Sequence, residues 1–175
     1  LATYRRYGHG ESKAQWRRNN ISRCVKAVHD AVKAVKPWVW LSCAPIGKYN
    51  DLPRQSSGSW NAFHAGHQDA QLWLREGWVD MLLPMMYFRA NHHFFPFALD
   101  WKEAAGKRPV VNGLGAYFLS PREKGGDWAL EEIEREMQFS RAIQSGGQCF
   151  FRSQFVTENT KGLYDFLKDD FYRQP

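Results

Sequence analysis

Apolar side chains recur along the early chain as Ile21, Val25, Val28, Val32 and Val35. Steps of four and three residues keep them on one face of an α-helix, and Lys36-Pro37 stops it because proline cannot continue the hydrogen-bond ladder. WVWLSC (38–43) is apolar on both parities, which predicts a strand covered on both faces. A loop rich in Gly, Ser, Asn and Pro fills 44–65, too long for a plain connection and therefore a candidate for function. HQDAQLWLREGW (67–78) predicts a short helix and VDMLLPM (79–85) the next strand. The rhythm continues with a helix within 89–106, a strand in PVVNGLGAYF (109–118) and a helix over 127–145 that carries Leu130, Ile133, Met137 and Ile143 on one side. GQCFFRS (147–153) reads as a fourth strand and 159–172 as a closing helix.

The strands begin near Trp38, Val79, Val110 and Gln148, at intervals that suit βα units of roughly 30 residues. An order α-β-α-β-α-β-α-β-α predicts an α/β fold with a parallel sheet and helices outside it. A doubly wound sheet lacks its signature here: GLG at 113–115 has no third glycine for G-x-G-x-x-G. The chain opens on a helix and without Met, as expected of a single-domain segment, residues 1–175, that begins midway through a parallel (β/α) barrel of TIM type. Four strands cannot close such a barrel by themselves.

Composition adds limits. At 43% hydrophobic and 24% charged residues the chain can bury a core. No apolar run reaches the length of about 18 residues that a membrane span needs, and the first ten residues lack the apolar stretch of a signal peptide. Cys24, Cys43 and Cys149 cannot all pair, and their apolar surroundings predict buried free thiols. The net charge of +6 concentrates in Arg5, Arg6, Lys13, Arg17, Arg18, Arg23, Lys26, Lys33 and Lys36, where it alternates with the apolar stripe and reads as a solvated helix face. Nucleic-acid binding would rest on that charge alone, since no RRM, KH or helix-turn-helix signature accompanies it. Eight Trp among 15% aromatics is rich, and the flat faces and polar tips of such rings suit sugar clefts.

In barrels chemistry sits at the C-terminal strand ends. These ends read Ser42-Cys43-Ala44-Pro45, Pro84-Met85-Met86-Tyr87, Gly113-Leu114-Gly115-Ala116-Tyr117 and Arg152-Ser153-Gln154, without an Asp or Glu. A glycosidase needs two carboxylates, one as general acid and one as base or nucleophile, and that pair is not visible. Asp80 begins its strand, where a turn or capping role is expected, and EEIERE (131–136) reads as a solvated helix face. Asp69, the weak catalytic candidate, opens a helix after the long loop; its alternative role is to satisfy that helix's first turn. Gln68 beside it could bond a hydroxyl-rich ligand or cap. His64-x-x-His67 and His92-His93 lack a carboxylate or Cys at useful spacing, so surface loop histidines are expected and no metal or other cofactor. The rim instead offers Tyr87, Tyr117 and Trp60 as flat rings, with Gln154, Arg152, Asn112 and Lys48 as donors.

Five stretches carry a resemblance in their order along the chain: YRRYG, WRRNNISRCVKAVHDAVKAVKPWVWLSCAPIGKY, QDAQLWLREGWVDMLLPMMYF, GLGAYFL and FFRSQFVTENTKGLYDFL. Together they resemble the glycosyl-hydrolase-like family ten proteins over nearly the whole chain. The resemblance implies the C-terminal part of a (β/α)₈ barrel, a bacterial envelope, periplasmic or secreted setting, and hydrolysis of O-glycosidic bonds in a polysaccharide such as a peptidoglycan-type glycan. It implies catalytic acids upstream of Tyr4-Arg5, a carbohydrate ligand, and the missing barrel half or a second copy as partner. Met85 stands where many relatives carry Gln after the proline. What carries over is the binding wall of Ser42, Pro45, Tyr87, Tyr117 and Arg152, to which the residue reading adds Lys48, Gln68 and Gln154. A non-catalytic carbohydrate-binding module derived from such a barrel is the alternative.

Overall fold

The computed structural model describes residues 2–8, 10–53, 55 and 60–173. Two helices open it: α1 (Ala2–Tyr7), which the apolar pattern does not signal, and α2 (Lys13–Val35), capped by Ser12 accepting from Gln15 N–H. There follow β1 (Ser42–Cys43), α3 (Ala70–Arg75), β2 (Met81–Leu82), a π-helical turn (Ala90–Phe94) continuous with α4 (Phe95–Ala105), and β3 (Val111–Leu114). A 3₁₀ turn (Ala116–Leu119), α5 (Leu130–Ala142), β4 (Gly147–Phe150) and α6 (Ser153–Thr157) complete the alternation. The closing helix expected over 159–172 is instead segmented. Lys161 and Gly162 take positive φ, so a 3₁₀ turn (Thr160–Gly162), one helical turn (Leu163–Asp165) and a π-helical run (Phe166–Phe171) succeed one another.

All the strand pairs are parallel. β1 pairs with β2 (Ser42 with Met81), β3 pairs with β4 (Val111 with Gly147 through Leu114 with Phe150), and single bridges at Leu82–Val110 and Met85–Gly113 stitch β2 to β3. The strands therefore lie side by side in chain order, an α/β arrangement without a closed barrel among the described residues. Leu82, Val110 and Leu114 turn toward the helices and are buried with Trp73, Phe97, Trp101, Ile133 and Met137. Asn112 and Gln148 point the same way, donating to Ser140 Oγ (2.9 Å) and to the Met137 carbonyl (3.2 Å) of α5. By alternation Ser42, Gly113, Cys149 and Phe151 share the opposite, inner face. Ser42 and Cys149 are exposed there and Phe151 is half exposed.

The prediction for 38–43 is corrected by this geometry. Only Ser42–Cys43 is strand, and Trp38 and Trp40 are 73% and 65% exposed, because β1 has a partner on one side only among the described residues and nothing faces its inner side. The apolar stripe of α2 is likewise half open, with Val28 and Val35 exposed while Ile21 and Val25 pack on the core. The thiols follow the same rule: Cys24 and Cys149 are exposed rather than buried, and Cys43 is half-buried, its burial raising its pKa to about 11.

Asp80 ties elements together rather than serving the turn or capping role expected of it. Its Oδ2 accepts from Leu41 N–H at 2.8 Å and from Lys33 Nζ at 2.9 Å, joining the last turns of α2 to the entries of β1 and β2. Burial alone would raise its pKa, but the Leu41 N–H and the Lys33 ammonium outweigh it and hold the carboxyl below the usual range. The folded form thus binds its proton less tightly than the unfolded chain. Its stabilisation is present above the unfolded Asp value of about 3.9 and is lost as pH falls through the folded one. Asp80→Asn is expected to cost about 1–2 kcal/mol at neutral pH and little in acid, measured by urea unfolding across pH. An equal loss at pH 3 and pH 7 would refute the ionic role.

Candidate functional site

The C-terminal ends of β2, β3 and β4 converge in an aromatic cluster on the inner face. Tyr87 stacks on Phe151, with ring centroids 5.5 Å apart and planes 29° apart, and Tyr117 stands edge-on to both at 5.6 and 5.9 Å. Phe118 lies 4.1 Å from Tyr117 on one side and stacks on Trp128 at 4.3 Å on the other, and the Arg89 guanidinium sits 4.8 Å over Trp128. Local backbone makes this possible. Gly113 lets β3 run close to β2, where an added Cβ would come 2.9 Å from the Pro84 carbonyl oxygen and 3.6 Å from the Tyr87 ring. The 3₁₀ turn after β3, held by Tyr117 N–H donating to the Phe151 carbonyl (3.1 Å), then swings Tyr117 over the strand end.

Desolvation pushes the Tyr87 phenol up to about 12, with the potential negative charges of Tyr117 and Cys149 adding to it. Burial and then the Glu123 carboxylate raise Tyr117 in the same direction. Both phenols therefore stay protonated at neutral pH, and each offers a flat face and a hydroxyl donor. A flat ring face beside a hydroxyl donor is complementary to a ring with apolar C–H faces and a polar edge.

Arg152 and Gln154 flank the cluster. Arg152 Nη2 lies 3.8 Å from Glu123 Oε1, and its Nε donates to Gln154 Oε1 at 3.2 Å. Gln154 belongs to α6 rather than to a strand end, and its Nε2 donates to Glu158. Glu123, from the loop after the 3₁₀ turn, is a carboxylate at this edge that sequence reasoning missed, because it lies well past the predicted strand. Phe151, Phe118 and Trp128 were missed too. The signal for Phe151 was present in strand alternation, which puts it on the same face as Cys149.

The remaining predicted residues lie outside the aromatic cluster, some buried and some exposed. Lys48 is corrected outright: it is fully buried, Nζ 2.7 Å from Asp51 Oδ1 and 5.8 Å above the Phe97 ring, and presents no ammonium at the surface. Asn112 is also fully buried and turned to α5, not to a ligand. Pro45 is buried, with its carbonyl accepting from Met85 N–H, and Gln68 Oε1 accepts from Ile46 N–H at 3.0 Å. Ser42 is exposed on the inner face of β1, and Trp60 is 73% exposed in the long loop, of which residues 54 and 56–59 lie outside the described residues. Asp69 takes the capping role: Oδ1 accepts from Leu72 N–H at 3.2 Å and from the Tyr49 hydroxyl at 2.8 Å.

His64 is exposed, His67 Nε2 meets Arg17 Nη1 at 3.3 Å, and His93 Nδ1 meets Gln55 Nε2 at 3.1 Å; the His92 side chain lies outside the described residues. Burial first, then Arg17, Arg18 and His64, lower the His67 pKa, so its imidazole is neutral near pH 7. Among the described residues no three His, Cys, Asp or Glu side chains group as a metal site. No described helix is long and apolar enough to cross a membrane.

Comparison with known proteins bears on this rim. Over 99% of its length the chain is 27% identical to the glycosyl hydrolase YngK of Bacillus subtilis, spanning 37% of that protein. Over 89% of its length it is 24% identical to the glycosyl hydrolase DigH of Escherichia coli K12, spanning 39%. The chain thus covers less than two fifths of these relatives. The family model described as glycosyl hydrolase-like 10 matches residues 1–112, which include α2, β1, β2 and Tyr87. This chain belongs to the glycosyl hydrolase-like 10 family.

Proposed function

We propose that the chain is the C-terminal part of a TIM-type (β/α) barrel that binds a polysaccharide on the Tyr87–Tyr117–Phe151 rim. In its full-length context it hydrolyses O-glycosidic bonds, with the catalytic carboxylates supplied upstream. The observation that carries this reading is the aromatic cluster itself, on the inner face at the C-terminal strand ends of a glycosyl hydrolase-like chain. Parallel strands in chain order, an open β1 edge and the exposed Trp38 and Trp40 support the barrel. The ligand is an envelope-type or other bacterial glycan, and an envelope, periplasmic or secreted location goes with it. Ser42, Arg152 and Gln154 are assigned to its polar edge. Pro45, Lys48 and Gln68 are assigned to holding the loop after β1.

A binding module without catalysis is the second reading. The engagement of two acids favours it, Asp69 in the α3 cap and Glu123 beside Arg152. Incubating the purified 175-residue chain with glycan strands and following reducing ends and bound ligand tests both. Binding without turnover is expected, with turnover appearing in a version extended to the length of its relatives. Turnover by the 175 residues that vanishes in Asp69→Asn or Glu123→Gln would place catalysis here and overturn the assignment. No turnover by the extended version would establish the binding module.

A further inference from the structure

The run EEIERE was expected to be a solvated face, yet Glu136 is fully buried. It falls three residues after Ile133 and four before Ser140, on the side of α5 that meets the sheet, next to Met137. Among the described residues neither carboxylate oxygen has a hydrogen-bond partner, and the buried Oδ1 of Asn112, whose amide nitrogen bonds Ser140, has none either. An ionised carboxylate without a partner in such a place is strongly unfavourable, whereas a neutral acid is tolerated and supplies a donor among acceptors.

The charged groups acting on Glu136 are on α5 itself: Glu132, one turn earlier, opposes its ionisation, and Arg135 favours it more weakly. Among the described residues, no charged group of the elements packed against α5 acts on Glu136 beside these two. His93 of the π-helical turn is engaged with Gln55, Phe88 and Phe97; Asp100 of α4 accepts from Gln71 of α3; β3 presents neutral Asn112 and β4 neutral Gln148, while Cys149 lies on the inner face. Burial, then Glu132, raise the Glu136 pKa well above the usual carboxylate range.

What α5 holds gives this residue its reach. Its Glu132 accepts from Ala90 N–H just after the rim segment, Ser140 anchors Asn112 of β3, the Met137 carbonyl anchors Gln148 of β4, and Phe139 packs 4.4 Å from Phe95. We propose that Glu136 is a proton-operated latch: as the neutral acid it seats α5 on β3, and its ionisation loosens α5 and with it the strand ends that carry Tyr117 and Phe151. The folded state binds this proton more tightly than the unfolded chain. The contribution is complete below the unfolded Glu value of about 4.3 and is lost as pH rises through the folded one.

Urea unfolding of wild type, Glu136→Gln and Glu136→Met from pH 4 to pH 8 tests this, with amide exchange of β3 residues compared between variants at each pH. At pH 4 wild type and Glu136→Gln should match. By pH 8 the wild-type unfolding constant should exceed that of Glu136→Gln, by about tenfold or more. Exchange at Asn112 and Leu114 should quicken in wild type relative to Glu136→Gln over the same range. Glu136→Met, which has no proton to lose, should track the pH dependence of Glu136→Gln. A wild-type difference that does not change with pH, or β3 exchange identical in all three proteins, would overturn the latch.

Discussion

Trp101→Ala is expected to lower the stability of the chain by about 3–5 kcal/mol, the range for deleting a large buried aromatic. The indole has no exposed surface, and its Nε1–H donates to the Gly47 carbonyl at 2.6 Å, a bond that crosses 54 residues of sequence. Gly47 lies where the chain leaving β1 passes over the end of β2; an added Cβ would sit 2.1 Å from the Met85 carbonyl oxygen. Trp101 thus fills the core between α4 and the sheet, and it also fixes the height at which the long loop leaves the rim. Tyr49 packs edge-on against it at 5.6 Å and passes the constraint to Asp69 through its hydroxyl. Trp101→Phe separates the two contributions. It keeps most of the buried ring and strands the Gly47 carbonyl, so it should cost about 1–3 kcal/mol. Urea midpoints read both values, and a Phe variant as unstable as the Ala variant would show that the hydrogen bond, not packing, dominates.

How much of this could be read in the residues depends on what each feature needs. Helices α2, α3 and α5 follow from local information: apolar spacing, Pro37 after one end and Asp69 or Ser12 at a start. The strand positions follow too, since short apolar runs between helices of that spacing have few alternatives. Burial does not follow locally. WVWLSC looks buried on both faces, but Trp38 and Trp40 are covered only if something packs on the open side of β1, and nothing among the described residues does. Lys48 looked like a surface donor because lysine usually is; an Asp51 partner and the Phe97 ring bring it inside, and both depend on tertiary contact. Glu136 was hidden by its acidic neighbours, although its spacing from Ile133 and Ser140 places it on the buried side of α5. At the rim, Tyr87 and Tyr117 were legible as strand-end aromatics. Glu123 was not, because only the turn after β3 brings it toward Arg152.

The rim makes the second large prediction. Tyr87→Ala and Tyr117→Ala should each weaken oligosaccharide binding by about 1–3 kcal/mol, by analogy with the loss of one aromatic stacking partner under a planar base. That is a dissociation constant roughly 5- to 150-fold higher, measured by calorimetric titration with glycan fragments. The two losses should not add. Tyr87 stacks on Phe151 and Tyr117 stands edge-on to both, so removing one ring lets the others shift, and the double variant should fall short of the sum. Tyr87→Phe divides the contribution further. It keeps the ring against Phe151 and removes a hydroxyl that stays protonated because burial holds its pKa near 12. If stacking carries the affinity, Tyr87→Phe should bind almost as wild type does; if the phenol hydroxyl bonds a sugar oxygen, it should lose about 0.5–1.5 kcal/mol. Circular dichroism and urea midpoints close to wild type would establish that each variant is folded before its affinity is read. Unchanged affinity in folded Tyr87→Ala and Tyr117→Ala would remove the aromatic cluster from the binding site. The glycan would then have to be sought elsewhere, beginning with Ser42 on the inner face and the exposed Trp60 of the long loop.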